Sequence, residues 1–122
     1  MMLPVCGFAQ QGIPPEQEKQ MQDAIQQEVD KYETVLDLEY WQVFRIDSAL
    51  THDYRALYEE LMDLNRRKVS NSSIYEDVQD KWKEQIYQAF SKILTPEQWE
   101  KYLKQGAGRE KKARDKRAAK RK

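Results

Sequence analysis

His52, Glu59, Glu60 and Asp63 come nearest to a reactive cluster. Carboxylates three and four apart share a helix face and can together attract a cation weakly. A firm metal site needs a second nitrogen or sulfur ligand. His52 is the single histidine and Cys6 the single cysteine. The expectation is therefore a solvated acidic helix face, with His52 on the polar side of the same helix. A lone cysteine also rules out an intramolecular disulfide. No glycine-rich phosphate loop, Ser/His/Asp constellation or nucleophile elbow occurs. The chain reads as a non-enzyme with no cofactor and no metal.

A second set of residues does structural chemistry. Leu94-Thr95-Pro96-Glu97-Gln98-Trp99 spells a helix start. Thr95 can accept an N–H from the first turn, and Pro96 suits the first helical position, where its missing N–H costs nothing. Gln98 can reach back to the cap and close a capping box, while Leu94 and Trp99 can form a hydrophobic staple. A weaker echo is read at Leu36-Asp37-Leu38-Glu39-Tyr40-Trp41, with Asp37 as the cap, Glu39 matching Glu97 and Trp41 matching Trp99. In that register Tyr40 stands where a glutamine would close the box.

These starts belong to a helical chain. Three of the four prolines precede residue 16, and glycine is as scarce. A long breaker-free stretch of this kind favours helices over a β-rich fold. Pro14 and Pro15 open a first helix over 15–33, with Met21, Ala24, Ile25, Val29, Tyr32 and Leu36 as a narrow stripe. A second helix runs from Asp37 towards Lys68, roughly 46 Å long. Its seam is Val43, Ile46, Leu50, Tyr54, Leu57, Leu61 and Leu64. Tyr40, Phe44, Tyr58 and Met62 lie beside that seam. Together the two sets span roughly 160° of the helix, more than one partner needs. The width points to a homodimer, or to apolar surface kept for another protein. A turn at 69–73 leads into a third helix, roughly 73–94. A fourth starts at Thr95, and Gly106 and Gly108 are expected to end it.

All aromatic residues but Phe8 fall between Tyr32 and Tyr102. They build a core of large side chains, or in part line a face that holds apolar segments of other proteins. Trp41 and Tyr87 fall off the main stripes and lean towards the second reading.

The balance of 21 basic against 21 acidic residues hides a division. Residues 109–122 carry nine Lys/Arg and two acids, leaving the body acidic. A nucleic-acid-binding domain would carry its basic face on the fold itself. The basic segment is expected to be a disordered or partly helical tail that nothing packs. It could solubilise, tether to anionic lipid, polyanion or an acidic partner, or fold back on its own acidic body. No apolar run is long enough to span a membrane.

Residues 1–9 read as the remnant of a secretory signal, with Gly7 and Ala9 as the small residues before a cleavage site. The basic start of such a signal is missing, which suggests a true start further upstream. A lipid-bearing Cys6 and a plain disordered N-terminus are the alternatives. The resulting domain division is 1–9 remnant, 10–108 helical domain and 109–122 basic tail.

Leu94-Thr95-…-Gln98 is an LTxxQ motif. With the signal remnant, the helical chain and the second motif-like turn, it resembles the Spy/CpxP family of small periplasmic proteins over roughly residues 20–105. The resemblance implies a thin antiparallel helical cradle, export to the periplasm and pairing of two protomers. It further implies an ATP-independent chaperone that holds unfolding clients, or a modulator of an envelope-stress sensor. Leu36, Asp37, Trp41, Leu94, Thr95, Gln98 and Trp99 would fix the two helix starts. Tyr40, Phe44, Tyr58 and Met62 would be the client-binding candidates. The zinc-responsive branch of the family gets no support, because its ligands are missing. The fold expected is all-α, about four helices with two long and antiparallel, ending in the basic tail.

Overall fold

The structure is a computed structural model that describes residues 13–121. The expected signal remnant and Cys6 lie outside the described residues. Those described are all-helical, without a strand. Helix α1 is Pro15–Leu36, α2 Tyr40–Arg66, α3 Ser72–Ile93, α4 Pro96–Tyr102 and α5 Gly108–Arg121. None is long and apolar enough to cross a membrane.

Local chemistry sets each boundary. Pro15 opens α1, and Glu16 and Glu18 in its first turn face the positive end of the helix dipole. Asp37 ends α1 in a left-handed conformation, φ 56°. Aspartate tolerates that region better than most side chains. This corrects the expectation that Asp37 caps the second helix, since a residue closing one helix with φ positive cannot also hold the extended cap geometry of the next. Glu39 takes that place, with φ −80° and ψ 163°. Asn71 caps α3, its side chain accepting the Ser73 N–H at 3.0 Å. Between α2 and α3 the chain turns through Lys68, at φ 60°, and the Tyr75 hydroxyl ties the turn by donating to the Val69 carbonyl at 2.7 Å.

The α2–α3 hairpin is the longest packed pair, with α1 laid along α2. Met21, Ile25 and Val29 of α1 meet Ile46 and Leu50 of α2 and Ile86, Phe90 and Ile93 of α3 in one cluster. Tyr102 of α4 closes it, its ring stacked on Phe90 at 4.7 Å between centroids. A smaller cluster of Leu57, Leu64 and Val78 fills the hairpin tip. Helix α1, read as lying outside with a narrow stripe, buries one side only and exposes most of its Gln, Glu and Asp side chains, with Glu18 and Glu28 half-buried.

Gly106 breaks the helix that starts at Thr95, as expected, whereas Gly108 opens a further one. A π-turn at Leu103–Ala107 carries Gly106 at φ 118°, and the chain resumes as α5. A side chain at φ 118° would be strained. The expectation that nothing packs residues 109–122 is corrected by α5. One side of it lies on α3 through ion pairs: Lys111 and Arg114 on Glu84, Arg117 on Asp80, Arg121 on Asp77 and Asp80. Helix α5 has no apolar stripe. Long basic stems and opposite charge do the packing instead.

Candidate functional site

Two features stand out: a polar junction between the motif turns, and an apolar face on the outside of α2.

At the junction, Thr95 accepts the Gln98 N–H at 3.2 Å, and the Gln98 side-chain oxygen accepts the Thr95 N–H at 2.9 Å. The upstream motif does the same two residues later than its sequence echo suggested. Gln42, not the Tyr40 position, supplies the amide, and its oxygen accepts the Glu39 N–H at 2.9 Å. The true match to Leu94-Thr95-Pro96-Glu97-Gln98 is therefore Leu38-Glu39-Tyr40-Trp41-Gln42, 56 residues upstream. Leu38 and Val43 take the staple positions held by Leu94 and Trp99, and all four join the central cluster.

The two glutamines meet face to face. Gln42 Nε2 donates to Gln98 Oε1 at 2.7 Å, and Gln98 Nε2 donates to Gln42 Oε1 at 3.1 Å. Gln42 also donates to the Ile93 carbonyl at 3.1 Å, and Gln98 to the Asp37 carbonyl at 3.3 Å. Each amide thus closes its own helix start and holds the chain entering the other. Gln42 is 1% exposed, so its own bonds are shielded from water. Buried polar groups satisfied at every position fix one arrangement.

Trp41 and Trp99 are not equivalent. Trp99 packs on Tyr87 and Tyr102 at 5.0 and 5.4 Å between centroids. Trp41 is 50% exposed, and its Nε1–H donates to Glu39 at 3.1 Å. Tyr87 is no free surface either: the Lys111 and Arg114 cations sit over its ring at 5.4 Å.

The outer face of α2 carries Tyr40, 92% exposed, and Phe44, 69% exposed, beside Trp41. Tyr58 and Met62 are half-buried on the same helix, Tyr58 against the central cluster. So the four client-binding candidates divide. Two stand in solvent, and two line the path towards the hairpin tip. A groove along this face is lined by Phe44, Asp47, Ser48, Thr51, His52, Arg55, Ala56 and Glu59.

The charged groups are mostly engaged. Glu18 of α1 grips the Arg55 guanidinium from two oxygens. Glu60 accepts from Trp82 and Lys81, which hold its carboxyl below the ordinary range. Asp63 pairs with Arg67. His52 is exposed and bonds Asp53 at 2.8 Å. The acidic face read near His52 is thus partly a set of helix-to-helix and along-helix ties. Among the described residues no group of three or more His, Cys, Asp or Glu side chains is placed to hold a metal ion.

Under α5 a polar pocket collects Glu28, Tyr32, Tyr54, Tyr102 and Gln105. Burial raises the Glu28 carboxyl, although the Tyr54 and Tyr32 hydroxyls donate to it at 3.3 and 3.4 Å. Burial also pushes all three phenols up. On α3, Arg117 and Arg121 hold Asp80 below the usual carboxylate range. Burial works to raise Glu84, but donation from Gln88, Lys111 and Arg114 outweighs it.

The fold and these faces define a class: an all-α chain clasped at a pair of buried glutamines, with aromatic surface on its long helix. No family model matches the chain, and no curated protein or solved structure does.

Proposed function

We propose that this chain is a non-enzymatic protein-binding module, acting as an ATP-independent holding chaperone or envelope-stress modulator of the kind the Spy/CpxP resemblance implies. In this reading it is exported to the periplasm. The observation that carries it is the exposed row of Tyr40, Trp41 and Phe44. Contiguous exposed aromatics on a small domain mark a place where other apolar groups dock. The row follows directly on the glutamine junction, so its first turn is held rigid. Clients of the proposed type are apolar segments of unfolding proteins, and the charged flanks keep the complex dispersed.

The test is light scattering of a chemically unfolded client diluted into buffer without nucleotide. Wild-type protein at near-equal molar ratio should suppress the scattering. Tyr40→Ser with Phe44→Ser should lose most of that effect while keeping its helical circular dichroism. A double variant as effective as wild type would remove the face from the reading.

A second reading has its own observation. Arg109, Lys112, Lys116 and Lys120 are all exposed on the side of α5 away from α3. A row of cations fixed this way suits tethering to an anionic surface, with the helical body as a spacer. Deleting residues 109–122 would uncover Asp80 and Glu84 and disturb the body. Changing those four cations to glutamine is the cleaner variant. Tethering should vanish in it, and holding should survive.

A further inference from the structure

The polar pocket under α5 is a cavity of about 240 Å³ lined from α1, α2, α3, α4 and α5. That is below the roughly 300–1,000 Å³ of pockets for drug-sized ligands, and well above the space of a single water. Two charged side chains from opposite ends of the fold line it without bonding each other. Glu28 of α1 is half-buried, and its hydrogen-bond partners are two neutral phenols, Tyr32 at 3.4 Å and Tyr54 at 3.3 Å. It forms no ion pair among the described residues, and burial outweighs the phenols in raising its carboxyl. Lys31, three residues on, lies over the Tyr32 ring instead, at 5.4 Å. Arg114 of α5 is 6% exposed. Its Nε donates to Glu84 at 3.1 Å and its Cζ sits over the Tyr87 ring, but Nη2 is buried with no acceptor. A buried guanidinium N–H without an acceptor is costly, and native structures leave few such groups.

We propose that this cavity binds a small zwitterion, an amino-acid-like molecule whose ammonium meets Glu28 and whose carboxylate meets Arg114. A lone oxyanion would satisfy Arg114 but lie against the Glu28 carboxylate. A lone cation would pair with Glu28 and leave Nη2 unmet. A molecule that carries both charges answers both groups. The remaining lining favours neither sign strongly. Lys31, Lys83 and Glu110 are exposed there, and Glu84 already offsets Arg114. Glu28 lies on the first helix and Arg114 on the last, so the bound molecule ties α5 to the body from the side opposite its ion pairs with α3.

The site is separate from the outer face of α2 and does not rest on the holding function proposed above. Loss of client holding would leave it standing.

Isothermal titration calorimetry of the full chain near neutral pH tests it with glycine, β-alanine and γ-aminobutyrate, which place the same two charges at three spacings. Acetate and methylammonium are the half-ligand controls. At least one zwitterion should bind once per chain, about tenfold or more tighter than either half-ligand. The same zwitterion should raise the hydrogen-exchange protection of α5, because it joins Arg114 to α1. Glu28→Gln keeps a polar side chain for the two phenols and should weaken the zwitterion about tenfold or more. Arg114→Lys keeps a charge beside Glu84 but removes Nη2, and should weaken both the zwitterion and acetate. Should Arg114→Lys loosen α5, the Glu28→Gln result decides. Acetate binding as tightly as the best zwitterion would make the cavity a plain oxyanion site and overturn the inference. Unchanged zwitterion affinity in Glu28→Gln would overturn it as well. No heat and no added protection from any of the three at millimolar concentration would mean that the cavity holds water only, which equally overturns it.

Discussion

Gln42 and Gln98 show how much two amides can specify. Each has an oxygen and an NH2 group, and each uses both. Gln42→Ala would leave the Glu39 N–H, the Ile93 carbonyl and half of Gln98 without partners. Unmet buried groups cost about 1–3 kcal/mol each, partly relieved by water. A loss of about 2–3 kcal/mol in urea denaturation is expected. Thr95→Ala removes one exposed cap bond and should cost about 1 kcal/mol. An unequal order, with Thr95→Ala the more damaging, would show that the caps outweigh the amide pair. At the same scale, Gly106→Ala meets no neighbouring atom but must adopt φ 118°. Strain of that kind costs about 1–3 kcal/mol, which the denaturation midpoint should register.

At the scale of elements, α5 is the surprise. Its acid partners make it a pH-dependent latch. Arg117 and Arg121 depress the Asp80 carboxyl. A depressed carboxylate contributes stability that is complete above its unfolded pKa, near 4, and is lost as pH falls through the lower folded value. Protection of α5 amides against hydrogen exchange, relative to the intrinsic rate at each pH, should therefore be high at neutral pH and fall below about pH 4, earlier than in α3. Asp80→Asn should bring that loss of protection to neutral pH, and protection unchanged in this variant would mean the ion pairs do not hold the helix. Glu28 runs the other way. Burial raises its carboxyl, so mild acid relieves a cost there. Loosening of α5 in acid is thus assigned to Asp80 and Glu84 rather than to Glu28. Helix α2 belongs to the same scale, and its wide apolar face is divided between one inner seam and one outer row. The light-scattering experiment asks what the outer one meets.

Across the whole molecule, the all-α architecture is legible in the stripes at three and four. Val43, Ile46, Leu50 and Leu57 turn inward as the period requires. Thr95 and Gln98 are legible too, because a capping box is local chemistry. The upstream junction was harder. Asp37 is a strong cap by type, and nothing in the sequence shows that the chain ahead of it needs a left-handed residue to stop α1. Gln42 looks like one more polar residue on a helix until Gln98 is placed opposite. The signal was present as Leu-x-x-x-Gln at both sites, a spacing in which the cap itself varies. The latch of α5 was legible only as opposite net charges on tail and body. Which carboxylates pair with which cations is a tertiary fact, invisible to any window of sequence.

The glutamine clasp has a mechanical consequence. It joins positions 56 residues apart, so the α2–α3 hairpin is a loop hanging behind a closed buckle. Tension applied between α1 and α5 would reach α5 first, peeling its ion pairs one after another at low force. The clasp would then carry the pull in shear, with several bonds strained at once. Only after it opened would the hairpin pay out its hidden length, about 190 Å of extended chain.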